Sequence, residues 1–213
     1  MAYCDWDQVS DVTHRYHDEE WGVPVHDDIR QFEYLLMEVM QCGLSWNLMM
    51  KKREIFRQCF DDFNYEKVAK YGESDIHRIL NTPGMIRSRP KIEAVISNAQ
   101  RFIGIRKEYG TFCNYLWAYT NGKTILYERH GNGIIPASNG LSKKVSADLR
   151  KRGFKYLGPV VVYSHLQAAG LINDHDKRCP RYAIINASAT TIRKRRDAEE
   201  GVVDFSDKGT MTI

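Results

Sequence analysis

Four residues placed at the two ends of this chain limit its fold more than anything between them. Cys4 and His17 lie in the first stretch, and His175 and Cys179 follow the last apolar helical pattern. His175 and Cys179 are four apart, so one helical turn puts both on one face. Two thiolates and two imidazoles are the ligand set of a closed tetrahedral zinc site. A metal shared by the two pairs would tie the start of the chain to its end. The competing reading is four unrelated residues. With seven His and five Cys in 213 residues, one His-x-x-x-Cys arises by chance roughly one time in six. Spacing alone leaves both readings open.

Length and composition narrow the classes. A chain of 213 residues is long enough to bury a real core as one large domain or two small ones. No apolar run approaches the ~20 residues of a membrane span. The N-terminus has neither a basic segment nor an apolar one of the kind that opens a secretory signal, so no signal peptide is expected. Five cysteines at irregular spacing argue against a disulfide framework and for a reducing cytoplasm. The formal charge of +4 permits nucleic-acid binding without demanding it.

The patterning is helical. Asp27 or Asp28 can cap a helix with Ile29, Phe32, Leu35, Leu36, Val39 and Met40 on its apolar positions, ended by Gly43. Ser45 can cap a second helix over 46–60. Further helices are expected at 75–80, 91–106, 112–119 and 141–152. Pro159-Val160-Val161-Val162-Tyr163 has strand-like branching. It finds no second strand run and continues through Leu166 and Leu171, so it reads as a buried helix. Residues 121–140, rich in Gly and Asn, read as a loop. After Pro180 the helical period is lost. The expectation is an all-α fold: a single domain over 1–180 and a mobile tail over 181–213.

Two constellations carry chemistry. In Asn81-Thr82-Pro83-Gly84-Met85-Ile86-Arg87-Ser88-Arg89-Pro90-Lys91 a Pro-Gly turn joins two helical patterns. That matches a helix-hairpin-helix, in which Gly84 sits at the turn and Arg87, Arg89 and Lys91 flank a helix N-terminus able to meet a DNA phosphate. An ordinary helical corner with solvated basic residues fits the same letters. Lys143, Lys144, Arg150, Lys151, Arg152 and Lys155 would widen such a face, or simply be solvated. The second constellation surrounds Glu38. In residues 34–42 only Glu38 and Gln41 are strongly polar, so the helix is apolar nearly all round. A buried carboxylate costs several kcal/mol unless paired or protonated, and is kept mainly for a partner or a reaction. The alternative is that Glu38 lies on the one exposed stripe. Trp6, Tyr16, Trp21 and Trp46 are the aromatic residues near these positions. Around one carboxylate they would suit a flat heteroaromatic ligand, and each alone is as readily core.

At these residues the chain closely resembles the bacterial 3-methyladenine DNA glycosylase I family. The matching stretches are Cys4-Asp5-Trp6, Tyr16-His17-Asp18-Glu19-Glu20-Trp21-Gly22-Val23-Pro24, Gly43-Leu44-Ser45-Trp46 and Lys51-Lys52-Arg53-Glu54. Lys151-Arg152-Gly153-Phe154-Lys155-Tyr156 and Gly170-Leu171-Ile172-Asn173-Asp174-His175 follow. The resemblance implies a helix-hairpin-helix DNA glycosylase-like fold with one structural Zn2+ joining the N- and C-terminal segments through Cys4, His17, His175 and Cys179. It implies no organic cofactor. It also implies a bacterial cytoplasmic monomer acting on double-stranded alkylated DNA and a flipped 3-methyladenine base. Glu38 would meet the base edge as the catalytic carboxylate, Tyr16 and Trp46 its faces, and Trp6 and Trp21 would shape the pocket. Leu44 would lie on the loop that approaches the gap in the DNA stack. Residues 158–165 lack the acid that many helix-hairpin-helix glycosylases place after the hairpin, and no Lys nucleophile is evident. A monofunctional hydrolase without lyase activity is expected.

The chain departs from the family pattern at Val39 and Met40, where Gly-Gln is usual, at Asn47, and at Pro90, commonly Gly. Val39 and Met40 motivate a second reading: a damaged-DNA-binding protein of this fold that no longer excises bases. A third, a small-molecule enzyme unrelated to DNA, would make the basic hairpin incidental.

Overall fold

The computed structural model describes Cys4, Trp6 and residues 10–128 and 135–194. Ten α-helices dominate these residues. Ser10 caps α1 (Asp11–Glu19) in a reciprocal box with Thr13. Asp27 caps α2 (Asp28–Gln41), and Ser45 caps α3 (Trp46–Cys59). A single 3-10 turn and the short α4 (Tyr65–Val68) lead to α5 (Glu73–Asn81). The long α6 (Arg89–Tyr109) and α7 (Phe112–Ala118) follow. Next come α8 (Gly140–Lys151), α9 (Pro159–Ala168) and α10 (Pro180–Ser188). Gly158 and Pro159 start α9 without a side-chain cap, because proline is preset for the first helical position. The Val-rich run is thus a helix, as its length and continuation imply.

The core lies where α2 meets α3, α6, α7 and α9. Phe32, Phe102 and Phe112 are fully buried there, with the Phe102 and Phe112 rings stacked at 4.2 Å. Asp28 joins three elements. Its carboxylate accepts from Arg106 and from the Phe112 and Cys113 amides that open α7. The ends of the chain meet through Gly170, at φ +75°. A Cβ there would stand 2.5 Å from the Val23 backbone, so only glycine fits. The close approach lets Gly22 and Val25 donate to the carbonyls of Gln167 and Ala169.

Two expectations fail. The chain is helix-dominated and not all-α. Strands β1 (Thr124–Tyr127) and β2 (Thr191–Lys194) pair in parallel, with Ile125 opposite Ile192. β1 lies inside the region read as loop, and its four residues are buried. The 181–194 segment is no tail, because α10 buries Ile185 and β2 completes the ladder. Four-residue strands so far apart in the chain leave no local period to read. The rest of the expected tail, 195–213, lies outside the described residues. Among the described residues no helix is long and apolar enough to cross a membrane.

Candidate active site and metal centre

Tyr16 and His17 are consecutive on α1, so their side chains leave the helix roughly 100° apart and serve two neighbouring sites. His17 turns to the Cys4, His175 and Cys179 side chains. All four are buried, and their ligand atoms lie within 4.8 Å of one another. His17 Nε2 and His175 Nδ1 are 3.1 Å apart, and the Cys4–His175, Cys179–His17 and Cys179–His175 separations are 3.8–3.9 Å. A zinc tetrahedron with bonds of ~2.05 Å to nitrogen and ~2.3 Å to sulfur has edges of about 3.4–3.8 Å. The cluster fits the ion nearly as it stands. Its surroundings fit too. His175 Nε2 lies 2.9 Å from the Trp21 carbonyl, and His17 Nδ1 2.7 Å from the Asp18 carboxylate. Each contact fixes the tautomer that leaves the inward nitrogen free to ligate. Burial pushes the His175 imidazole down to about 4, which keeps it in the neutral, ligating form.

Tyr16 turns to a cavity of about 320 Å³ on the other side of the same wall, within the range of small-ligand pockets. Trp6, Tyr16, Trp21 and Trp46 line it. The Tyr16 and Trp46 rings are tilted 53° with centroids 5.4 Å apart, and Trp6 meets Trp21 edge-on at 5.0 Å. Trp6 and Trp21 also pack against His17 and His175, so the Cys/His cluster props up the aromatic wall.

Glu38 and Gln41 enter from α2. Glu38 is 3% exposed. Burial alone, with no cation among the described residues to offset it, pushes its carboxyl up to about 8. Burial, with Tyr34 and Glu38 nearby, also holds the Tyr16 phenol well above its usual range. An aromatic box around an uncompensated carboxyl is a receptor for a flat cation or hydrogen-bond donor.

Ser164 and Gln167 of α9 and Ile135 complete the lining, and none was singled out from the sequence. Ser164 and Gln167 are polar at i, i+3 on an apolar helix, the same signal that marks Glu38 and Gln41. Ile135 carries no such signal. Asp174 fixes Gln167. Its Oδ2 accepts from Gln167 Nε2 at 2.8 Å and from the Tyr163 hydroxyl at 2.5 Å.

The two family departures on α2 sit elsewhere. Val39 and Met40 are fully buried, and neither lines the cavity. Asn47 has a structural task, accepting from the Ser10 hydroxyl at 2.7 Å. That bond ties the start of α1 to the first turn of α3, and so the Tyr16 wall to the Trp46 wall.

A turn joins α5 to α6 at residues 82–88. The Met85 amide donates to the Thr82 carbonyl, and Gly84 stands at φ +79°. Its side chains are not equivalent. Arg87 is exposed. Arg89 pairs with Glu73 and, at 3.3 Å, with Glu93. These contacts are exposed and so weak and exchangeable. Lys91 is engaged within the protein. Its ammonium turns inward to the carbonyls of Met40 and Cys42. Leu44 is half-buried on the loop between α2 and α3.

Residues 6–182 match the family model for methyladenine glycosylase. The chain belongs to this family. It is 38% identical over 182 residues to DNA-3-methyladenine glycosylase 1 of Escherichia coli (strain K12), covering 85% of this chain and 97% of that protein. It is 36% identical to DNA-3-methyladenine glycosylase of Haemophilus influenzae over 83% of this chain and 96% of the relative. A solved variant of 3-methyladenine DNA glycosylase I in complex with 3-methyladenine superposes with a TM-score of 0.81 at 37% identity. The match covers 84% of this chain and 97% of that one. The 3-methyladenine DNA glycosylase I of Staphylococcus aureus superposes with a TM-score of 0.80 at 37% identity, over 84% and 95%.

Proposed function

We propose that this methyladenine glycosylase hydrolyses the N-glycosidic bond of 3-methyladenine in double-stranded alkylated DNA, acting as a monomer. The observation that carries the reading is the buried Glu38, without a partner among the described residues, inside a box of four aromatic rings. In DNA, methylation at N3 gives adenine a positive charge. When that base enters the pocket, the Glu38 carboxyl meets the cation it lacks, and its proton is displaced. Unmodified adenine is neutral and brings no such compensation, so the desolvation cost of the carboxylate falls on the wrong base. Tyr16 and Trp46 hold the ring faces, and Trp6 and Trp21 close the edge. The chemistry then needs little acid help. The C1′–N9 bond breaks with its electron pair going to the base, which leaves neutral. Water adds at C1′ and loses its proton to solvent. Among the described residues that line the cavity there is no amine, which supports hydrolysis without a lyase step.

The fold is read as a helix-hairpin-helix, with the turn at 82–85 and the α6 N-terminus toward the phosphates. Gly84, Arg87 and Arg89 are the proposed backbone contacts, and Leu44 faces the gap left by the extruded base. Cys4, His17, His175 and Cys179 would hold one Zn2+. With four protein ligands its contribution is structural, a clamp between the chain's ends and a support for Trp6 and Trp21. The domain is proposed to extend through β2. The alternative of a non-catalytic binder rested on Val39 and Met40, and both are packed into the core away from the pocket. Incubating the protein with methylated duplex DNA and identifying released bases tests the reading. Free 3-methyladenine should dominate, and binding without release of any base would overturn it.

A further inference from the structure

The end of α2 is held by a residue from a different helix. Lys91, third in α6, donates from Nζ to the Met40 carbonyl at 2.8 Å and to the Cys42 carbonyl at 2.6 Å. Within the turn, the Leu44 amide donates to the Gln41 carbonyl at 2.6 Å, and Gln41 Nε2 returns a 2.6 Å bond to the Leu44 carbonyl. The last carbonyls of a helix have no partners inside it and carry its negative pole, so an ammonium there supplies both donors and charge. The same ammonium stands in the first turn of α6, where the positive pole disfavours it. A lysine serving only phosphate would gain nothing by turning inward. This one spans the hairpin and the turn that lies between Glu38 and Trp46 and bears Leu44.

We propose that Lys91 is a positioning residue that locks the 40–44 turn to the hairpin. Docking of the hairpin on DNA then sets the place of Leu44 and of the α2 end that carries Glu38 and Gln41. The inference rests on the proposed excision activity. It assigns Lys91 to the base-extrusion and bond-breaking steps and not to DNA affinity.

Lys91→Met keeps the aliphatic stem and removes the ammonium. In the full-length, zinc-loaded protein, single-turnover excision from methylated duplex DNA should fall about tenfold or more. Affinity for undamaged duplex should stay within about twofold, with the salt slope unchanged. In a Leu44→Ala background the same change should cost less than about twofold, since both act through one turn. Hydrogen exchange at the Leu44 amide should quicken in Lys91→Met, a readout that does not depend on excision. A salt slope shallower by about one would make Lys91 a phosphate contact and overturn the proposal. So would unchanged Leu44 exchange, or full additivity with Leu44→Ala. A wild-type protein that releases no base while Leu44 exchange responds to Lys91→Met would sink the activity and leave the lock standing. Should Lys91→Met not fold, Lys91→Gln carries the same expectations.

Discussion

Glu33 and Glu38 share helix α2 and are equally buried, each 3% exposed. Their surroundings are opposite. Glu33 accepts from Arg30 at 2.8 Å and from Arg53 at 2.7 Å, with Arg57 at 3.6 Å. Arg53 and Arg30 extend the network to Glu20. Burial would raise the Glu20 carboxyl, but the two guanidiniums outweigh it and hold it below its usual range. This network joins α1, α2 and α3. Glu38, at the other end of the same helix, meets aromatic faces and a cavity, and its carboxyl is raised by desolvation alone. Burial of a carboxylate therefore does not mark a site. Burial without a partner, beside an opening, does.

The comparison breaks or holds on a pair of isosteric changes. Glu38→Gln should lower excision on the order of 10²–10³-fold, the scale of losing one group preorganised for transition-state charge, while undamaged-DNA binding and zinc content persist. It should also stabilise the fold. The Glu38 carboxyl rises from 4.5 to about 8 on folding, so the folded state holds its proton more tightly than the unfolded chain. That stability is fully present below pH 4.5 and drains away as pH rises through about 8. Glu38→Gln removes the drain, so at pH 8 thermal melts should show the variant more stable by a few kcal/mol. Glu33→Gln should do the reverse. It should cost about 3 kcal/mol by leaving Arg53 and Arg30 undercompensated, and leave excision per folded molecule within about twofold. A Glu33→Gln protein that folds yet excises as poorly as Glu38→Gln would end the distinction between the two ends of α2.

Burial at Glu38 was legible because Glu38 and Gln41 interrupt an otherwise apolar stretch at i, i+3. The Glu33 network was not singled out from the sequence, although Arg30 and Glu33 stand at i, i+3, a spacing that a helix brings together. Arg53 comes from α3, and no spacing rule connects it. The Cys/His set could be read from residue types alone, with chance spacing as its competitor; the structure gathers the four potential ligand atoms within 4.8 Å, where they could hold a metal ion. Lys91 read as a candidate phosphate contact at a helix start, because its partners in the structure are backbone carbonyls, which have no letter in a sequence. β1 and β2 escaped for a related reason. Each is four residues long, and their pairing spans most of the C-terminal half.

That pairing gives the next test. Ending the chain after Ser188 removes β2, with the Thr124 amide bond to the Thr190 carbonyl and the Glu128 bond to the Lys194 carbonyl. It should cost about 1–2 kcal/mol in thermal melts, as expected for a few backbone hydrogen bonds. Unlike Glu33→Gln, it should also weaken excision modestly, because Ile135, which follows β1 in the sequence, lines the pocket. An unchanged melting temperature would show that β2 adds nothing to the domain.

The smallest expected effect probes the other half of the rule, burial without a partner off the lining of the Glu38 cavity. His165 on α9 is 4% exposed, and neither ring nitrogen has a hydrogen-bond partner among the described residues. It is adjacent in sequence to Ser164 yet does not line the cavity. Desolvation pushes its imidazole from 6.5 down to about 4. The unfolded chain therefore takes up a proton at a pH where the folded one does not. Stability is fully present above pH 6.5 and is lost as pH falls toward 4. His165→Phe keeps a flat ring and removes two unsatisfied polar atoms. At neutral pH it should gain about 1 kcal/mol, less whatever the larger ring costs in packing. Between pH 6.5 and 4 its advantage over wild type should widen, and excision should not change. If the stability difference is flat across that window, His165 is not held neutral by burial. If excision falls with the fold intact, an unpartnered buried group contributes without facing the cavity, and the rule drawn from Glu33 and Glu38 is too narrow.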